Sequence, residues 1–150
     1  MDEIYRAVRG AHSYIRWVAL LATAGTFWTM LRGFLAKRAM DKRDRSAAFA
    51  CTIVLDVQLL LGLALLAVSP AIRVALLDLD VAMQESRVRF LSAEHPITML
   101  AAVAFAHAGS ATVRRSDPEA PLRLGRATAL FAVALALIVV AIPWFRLGGR

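Results

Sequence analysis

The chain has 150 residues, 59% of them hydrophobic, a formal charge of +7 and a single cysteine, with a mean hydropathy of +0.61. Soluble domains hold about 45–50% apolar residues, so the excess points to one integral membrane domain over 1–150. Cys51 alone excludes an internal disulfide and a Cys-rich metal site, and basic residues set between apolar runs, without interleaved aromatics, exclude a nucleic-acid surface.

A hydrocarbon layer of about 30 Å is crossed by about 20 apolar residues in a helix. Four stretches qualify. The first, 12–35, opens on "HSYIRWVALLATAGTFWTML" and runs into "RGFLAKR". The second, 47–69, is "AAFACTIVLDVQLLLGLALLAVS", closed by Pro70, which has no N–H with which to continue a helix. A long connection, "AIRVALLDLDVAMQESRVRFLSA", precedes the third, 95–113. Ile72, Ala75, Leu76 and Leu79 recur there at helical spacing, so it forms either an amphipathic helix along the membrane surface or an irregular loop held by apolar contacts. The fourth span, 126–145, is "RATALFAVALALIVVAIPWF", with Pro143 near its end. No span carries the short apolar core and cleavage site of a secretory signal, so all four are expected in the mature protein.

The expected fold is therefore an all-α bundle of four transmembrane helices. Its two short connections, with Arg32, carry 10 of the 18 Lys and Arg residues. Basic residues on short loops favour the cytoplasmic side, which places both termini on the periplasmic side of a bacterial inner membrane. Trp17 and Trp144 then suit an aromatic belt at the outer interface, where Arg16, Arg89 and Arg146 reach lipid phosphates or a partner.

The third span begins "LSAEHPITM". Ser92 is read as its cap, Glu94 as a first-turn acid complementing the helix dipole, and Pro96 as a residue tolerated where N–H groups lack partners. That leaves His95. With both termini outside, His12 opens span 1 and His95 opens span 3, at one depth on two helices. Such a pair can be the axial ligands of a b-type haem, a site for another metal, or two interfacial histidines with local hydrogen bonds. Deeper in the bilayer, Asp56 and Gln58 of span 2 stand near the level of His107 in span 3. Ionisable groups there are costly, so an Asp56–His107 pair is expected, as a clamp between helices or a proton relay. His95 and His107 are twelve residues apart, about 120° round the helix and about 18 Å along it, so they cannot share a metal.

"HSYIRW", "VQLLLGL…VSP", "EHPITM" and "IPWFR", in this order, resemble small four-helix bacterial inner-membrane proteins often labelled cytochrome b-like. The resemblance implies that His12 and His95 occupy recurrent histidine positions and that haem b is a candidate cofactor. It departs from the larger respiratory cytochromes b, which carry paired histidines deep on the same helices, and a haem at the outer edge alone would not carry electrons across the bilayer. Short loops leave no room for a soluble domain, and no nucleophile–base set or phosphate loop is present. The expected function is a non-catalytic accessory subunit of a larger energy-transducing complex, respiratory or photosynthetic, with lipid and other membrane subunits as partners. The alternatives are a haem-binding electron-transfer subunit using His12 and His95, and a small proton-coupled transporter using Asp56, Gln58 and His107.

Overall fold

The four apolar runs become four long helices in a computed structural model that describes residues 2–75, 77–114 and 121–144. They are α1 (Asp2–Leu35), α2 (Lys42–Val68), α6 (His95–Arg114) and α7 (Pro121–Ala141). Each is long and apolar enough to cross a membrane, α6 together with the helical turns that precede it from Ser86. Their neighbours run in the order α1–α2–α6–α7 and back to α1. This is an up-down-up-down bundle. Both described chain ends lie at one end of it, since Tyr5 and Ile142 border the same cavity.

In hydrocarbon the hydrophobic effect does little to bring helices together, and close packing of small residues does more. The core follows that rule: Ala19, Ala48, Cys51, Ala102, Ala106, Ala127 and Ala134 are buried around Met30, Leu55 and Phe131. Gly109 lets α6 approach α7 so closely that an added Cβ would lie 2.9 Å from the Phe131 ring.

The α1–α2 connection is short and tightly bonded. Arg38 N–H bonds to the Gly33 carbonyl and Lys37 N–H to that of Phe34, the double bond of a Schellman end, with Lys37 in the left-handed region at φ 50°. Asp41 then caps α2, accepting from Arg43 N–H at 2.8 Å and Asp44 N–H at 3.0 Å. The N–H of Asp44 is the main reason the Asp41 carboxyl is held below its ordinary range, with Arg43 N–H and the Arg38 charge adding to it. The cap is therefore fully ionised above the usual carboxylate range and is lost only as pH falls through that lowered value. Asp44 is fully buried and receives both Nη1 and Nη2 of Arg38 at 2.7 Å.

The other end differs from expectation. The segment after α2 folds into α3 (Pro70–Ala75), α4 (Leu79–Gln84) and α5 (Ser86–Arg89). Ile72 and Ala75 are buried and Leu79 is exposed; Leu76 lies outside the described residues. Ser92 does not cap α6. The chain enters through α5 and a π-helical turn, Phe90–Glu94, so the capping residue is Glu85, which accepts from Arg87 and Val88 N–H. Pro96 explains the π turn: it has no N–H for the Ser92 carbonyl, and its ring would press on that carbonyl. The register widens by one residue, and His95 N–H bonds to Phe90 instead. Glu94 pairs with Arg89 at 2.7 Å.

Two substitutions test the short connection. Arg38→Ala leaves Asp44 buried without its counter-charge and is expected to lower stability in detergent by roughly 2–3 kcal/mol, less than the ~3–5 of a wholly buried pair because Arg38 is partly exposed. Lys37→Gly relieves the left-handed backbone and is expected to raise stability by about 0.5–1 kcal/mol. Thermal unfolding followed by circular dichroism reads both.

Candidate functional site

Beyond the ion pairs at the connections, two groups of polar side chains among the described residues are candidate sites, one concave and one half-exposed. The concave one is a cavity of about 410 Å³ at the end of the bundle that holds both termini, within the ~300–1,000 Å³ of small-molecule sites. Leu59, Leu63, Leu66, Met99 and Ile138 give it apolar walls, while Tyr5, Arg9, His12, Arg16, Gln58 and His95 supply polar groups. Among its described lining residues there is no carboxylate.

The structure brings His12 and His95 together, with ring centroids 6.3 Å apart and planes at 76°. It also sets them deeper than the ends of their helices. α1 begins at Asp2, not at His12, because the charged residues ahead of the apolar run still form helix; helical turns likewise precede His95. His12 packs beside Gly62, where an added Cβ would sit 3.3 Å from its ring. Gly62 is six residues, or about 9 Å, inside the end of α2.

Hydrogen bonds orient both rings. His95 Nδ1 lies 2.7 Å from the Ala141 carbonyl, so Nδ1 carries the proton and Nε2 the lone pair. Gln58 Nε2 donates to the His12 carbonyl at 3.1 Å and stands 3.4 Å from His12 Nε2. The amide N–H meeting that nitrogen makes Nε2 the acceptor and leaves the His12 proton on Nδ1. Two polar atoms in this wall, His12 Nδ1 and Gln58 Oε1, are sealed from solvent without a partner among the described residues.

Haem fits this arrangement poorly. Axial ligation needs both imidazole lone pairs to face one iron, and the His12 lone pair faces Gln58 on α2. His12 would have to leave Gln58 to join His95 in ligation. No group of three or more His, Cys, Asp or Glu side chains suited to a metal occurs among the described residues.

The half-exposed site is the Asp56–His107 pair, with His107 Nε2 2.8 Å from Asp56 Oδ1 across α2 and α6. Asp56 lies fourteen residues from Lys42 and twelve from Val68, about 21 and 18 Å along α2. The side chains are 46% and 44% exposed, so the pair lies on the outer seam and not in the bundle interior. Gln58 is not part of it. Two residues are about 200° of helix, which turns Gln58 inward to His12 while Asp56 faces out. The three-residue relay of Asp56, Gln58 and His107 is therefore not assembled.

The remaining predicted positions disperse. Arg16 lies over Trp17, 5.1 Å from the ring centroid, and borders the cavity. Trp17 falls fifteen residues into α1, about 22 Å from its start, so it does not mark a helix end. Trp144 does stand at a helix end, its Nε1 donating to Val139. Arg89 is bound to Glu94 and to the Met83 carbonyl. Arg146 lies outside the described residues. The Arg38–Asp44 bridge was overlooked in the sequence, although Asp41 and Asp44 at cap spacing beside a basic loop are a readable signal.

Comparison with known proteins gives no relative: no family model, no curated protein and no solved structure matches the chain.

Proposed function

We propose that this protein is a non-catalytic accessory subunit of a larger membrane assembly. The half-exposed Asp56–His107 pair at mid-helix carries the proposal. An ionisable pair set against lipid tails is costly, whereas against a neighbouring helix bearing a hydrogen-bond donor it becomes an attachment point. The surroundings support a helix as the neighbour. Phe49, Ile53 and Leu60 are exposed large apolar residues, at spacings of −7, −3 and +4 from Asp56 that put them on its face of α2. Together they form a stripe with one polar position at its centre.

In this reading the connections between α1 and α2 and between α6 and α7 face the cytoplasm of a bacterial cell, where their basic residues favour retention. The α3–α5 segment lies on the periplasmic surface. The resemblance of the sequence motifs to cytochrome b-like membrane proteins supports an energy-transducing complex as the host.

Photocrosslinking in native membranes tests the proposal. A benzophenone side chain in place of Leu60 is expected to capture one membrane protein of discrete mass. The double exchange Asp56→Leu with His107→Leu is expected to reduce that yield about tenfold, the equivalent of the ~1–2 kcal/mol of a good interhelical hydrogen bond. Crosslinks to lipid alone, or a yield unchanged by the double exchange, overturn it.

A further inference from the structure

The cavity at the end of the bundle has no part in the proposed attachment, and its walls are divided between two chemistries. Tyr5, Arg9, His12 and Arg16 line it from α1, at spacings of four, three and four residues that put them on one face of that helix. Tyr5, Arg9 and Arg16 present hydrogen-bond donors there, and the two guanidiniums carry a permanent positive charge. The facing walls are mostly apolar, with Leu59, Leu63 and Leu66 from α2, Met99 and Leu100 from α6 and Ile138 from α7.

This division selects a ligand class. No carboxylate occurs among the described lining residues, so a cation finds no counter-charge there. A small hydrated anion gains nothing from the leucine-rich side in exchange for its water. An uncharged lipid fills the apolar side and gives the guanidiniums no charge to pair with. The molecule that suits both sides is apolar over most of its length and negative at one end.

The dimensions agree. The cavity borders α1 from Tyr5 to Ala19, fourteen residues or about 21 Å, against the ~15 Å depth of one lipid chain in a hydrocarbon core two chains thick. Leu63 and Leu100 both line it and are 45% and 49% exposed, so its apolar wall continues onto the outer surface of α2 and α6. An acyl chain can enter there from the bilayer without crossing water.

We infer that the cavity binds a membrane-dissolved anionic amphiphile, its acyl chain against the α2, α6 and α7 walls and its carboxylate or phosphate on Arg9 and Arg16. A free fatty acid and an acidic phospholipid present this same chemistry, since arginine pairs with either group through two parallel N–H bonds.

Native mass spectrometry of the purified full chain in a neutral detergent tests the assignment, with oleate and dioleoylphosphatidylglycerol as probes. Oleyl alcohol and dioleoylphosphatidylcholine are the controls of equal chain length. One anionic molecule per chain is expected, bound about tenfold more tightly than its control. Saturation by oleate alone identifies a fatty acid, saturation by the phosphatidylglycerol alone an acidic phospholipid, and mutual displacement of the two a site that takes both; each result upholds the class. Arg9→Gln combined with Arg16→Gln is expected to remove the preference for charge and to leave binding of oleyl alcohol unchanged. Leu66→Trp narrows the apolar side and is expected to weaken oleate about tenfold. Melting temperatures show whether each variant is folded, and where one is not, the wild-type ratio of oleate to oleyl alcohol decides. The assignment is overturned if neither anion saturates at one per chain or if the controls bind equally well. It also falls if the preference survives Leu66→Trp undiminished, as lipid gathered on the outside of the bundle would, or if inorganic phosphate binds as tightly as oleate. Crosslinking is read at Leu60, which does not border the cavity, so either result can fail without the other.

Discussion

In a hydrocarbon solvent a polar group without a partner has no water to turn to, and that constraint decides where nearly every polar side chain of this bundle goes. The threonines show it most simply. Thr23, Thr29, Thr98, Thr112 and Thr128 each turn the hydroxyl back to the carbonyl four residues earlier, which satisfies the hydroxyl inside its own helix. Asp44 is a harder case, a carboxylate at zero exposure. It is held by both guanidinium nitrogens of Arg38 and by the Asp41 N–H. Against this background the exceptions stand out: a pair satisfied internally yet turned outward, and a few buried atoms without a partner among the described residues, His12 Nδ1, Gln58 Oε1 and Ser110 Oγ among them.

The bundle is built asymmetrically, and prolines account for much of that. At the α1–α2 end, backbone and side-chain bonds close a connection of a few residues. At the opposite end Pro70 separates α2 from α3, Pro96 forces the π turn, and Pro143 follows α7. Each removes a backbone donor where helices would otherwise continue. Pro96 and Pro143 both border the cavity. The cavity therefore lies at the end where the backbones are interrupted, bordered by Tyr5, Arg9, His12 and Arg16 of α1.

The sequence shows the four helices clearly because 20-residue apolar runs have few alternative readings. It misplaces their beginnings, since hydropathy marks where a helix is greasy and not where it starts. "DEIYRAVRGA" is charged and yet helical. That error moved His12 from the mouth of a helix to three turns inside it, and Trp17 with it. Ser92 illustrates another limit: a serine ahead of a proline resembles a cap, but whether helical turns precede it depends on Glu85 and on a π register that no local pattern announces. Gln58 was grouped with Asp56 by proximity in the chain, when the 100° step per residue already assigns them different faces.

Shape separates what the two polar features can recognise. The Asp56–His107 pair is half-exposed on the α2–α6 seam, on the same face of α2 as the exposed Phe49, Ile53 and Leu60. Against lipid tails such a pair is costly, which is why a neighbouring helix was proposed to cover it. His12 and Gln58 instead border the cavity at the end of the bundle, a concave place. His95 and His107 lie about 18 Å apart along α6, far enough for a neighbour to occupy the seam while the mouth of the cavity stays open. The two polar features are therefore separate places on the bundle, one on the α2–α6 seam and one at the end that holds both described termini.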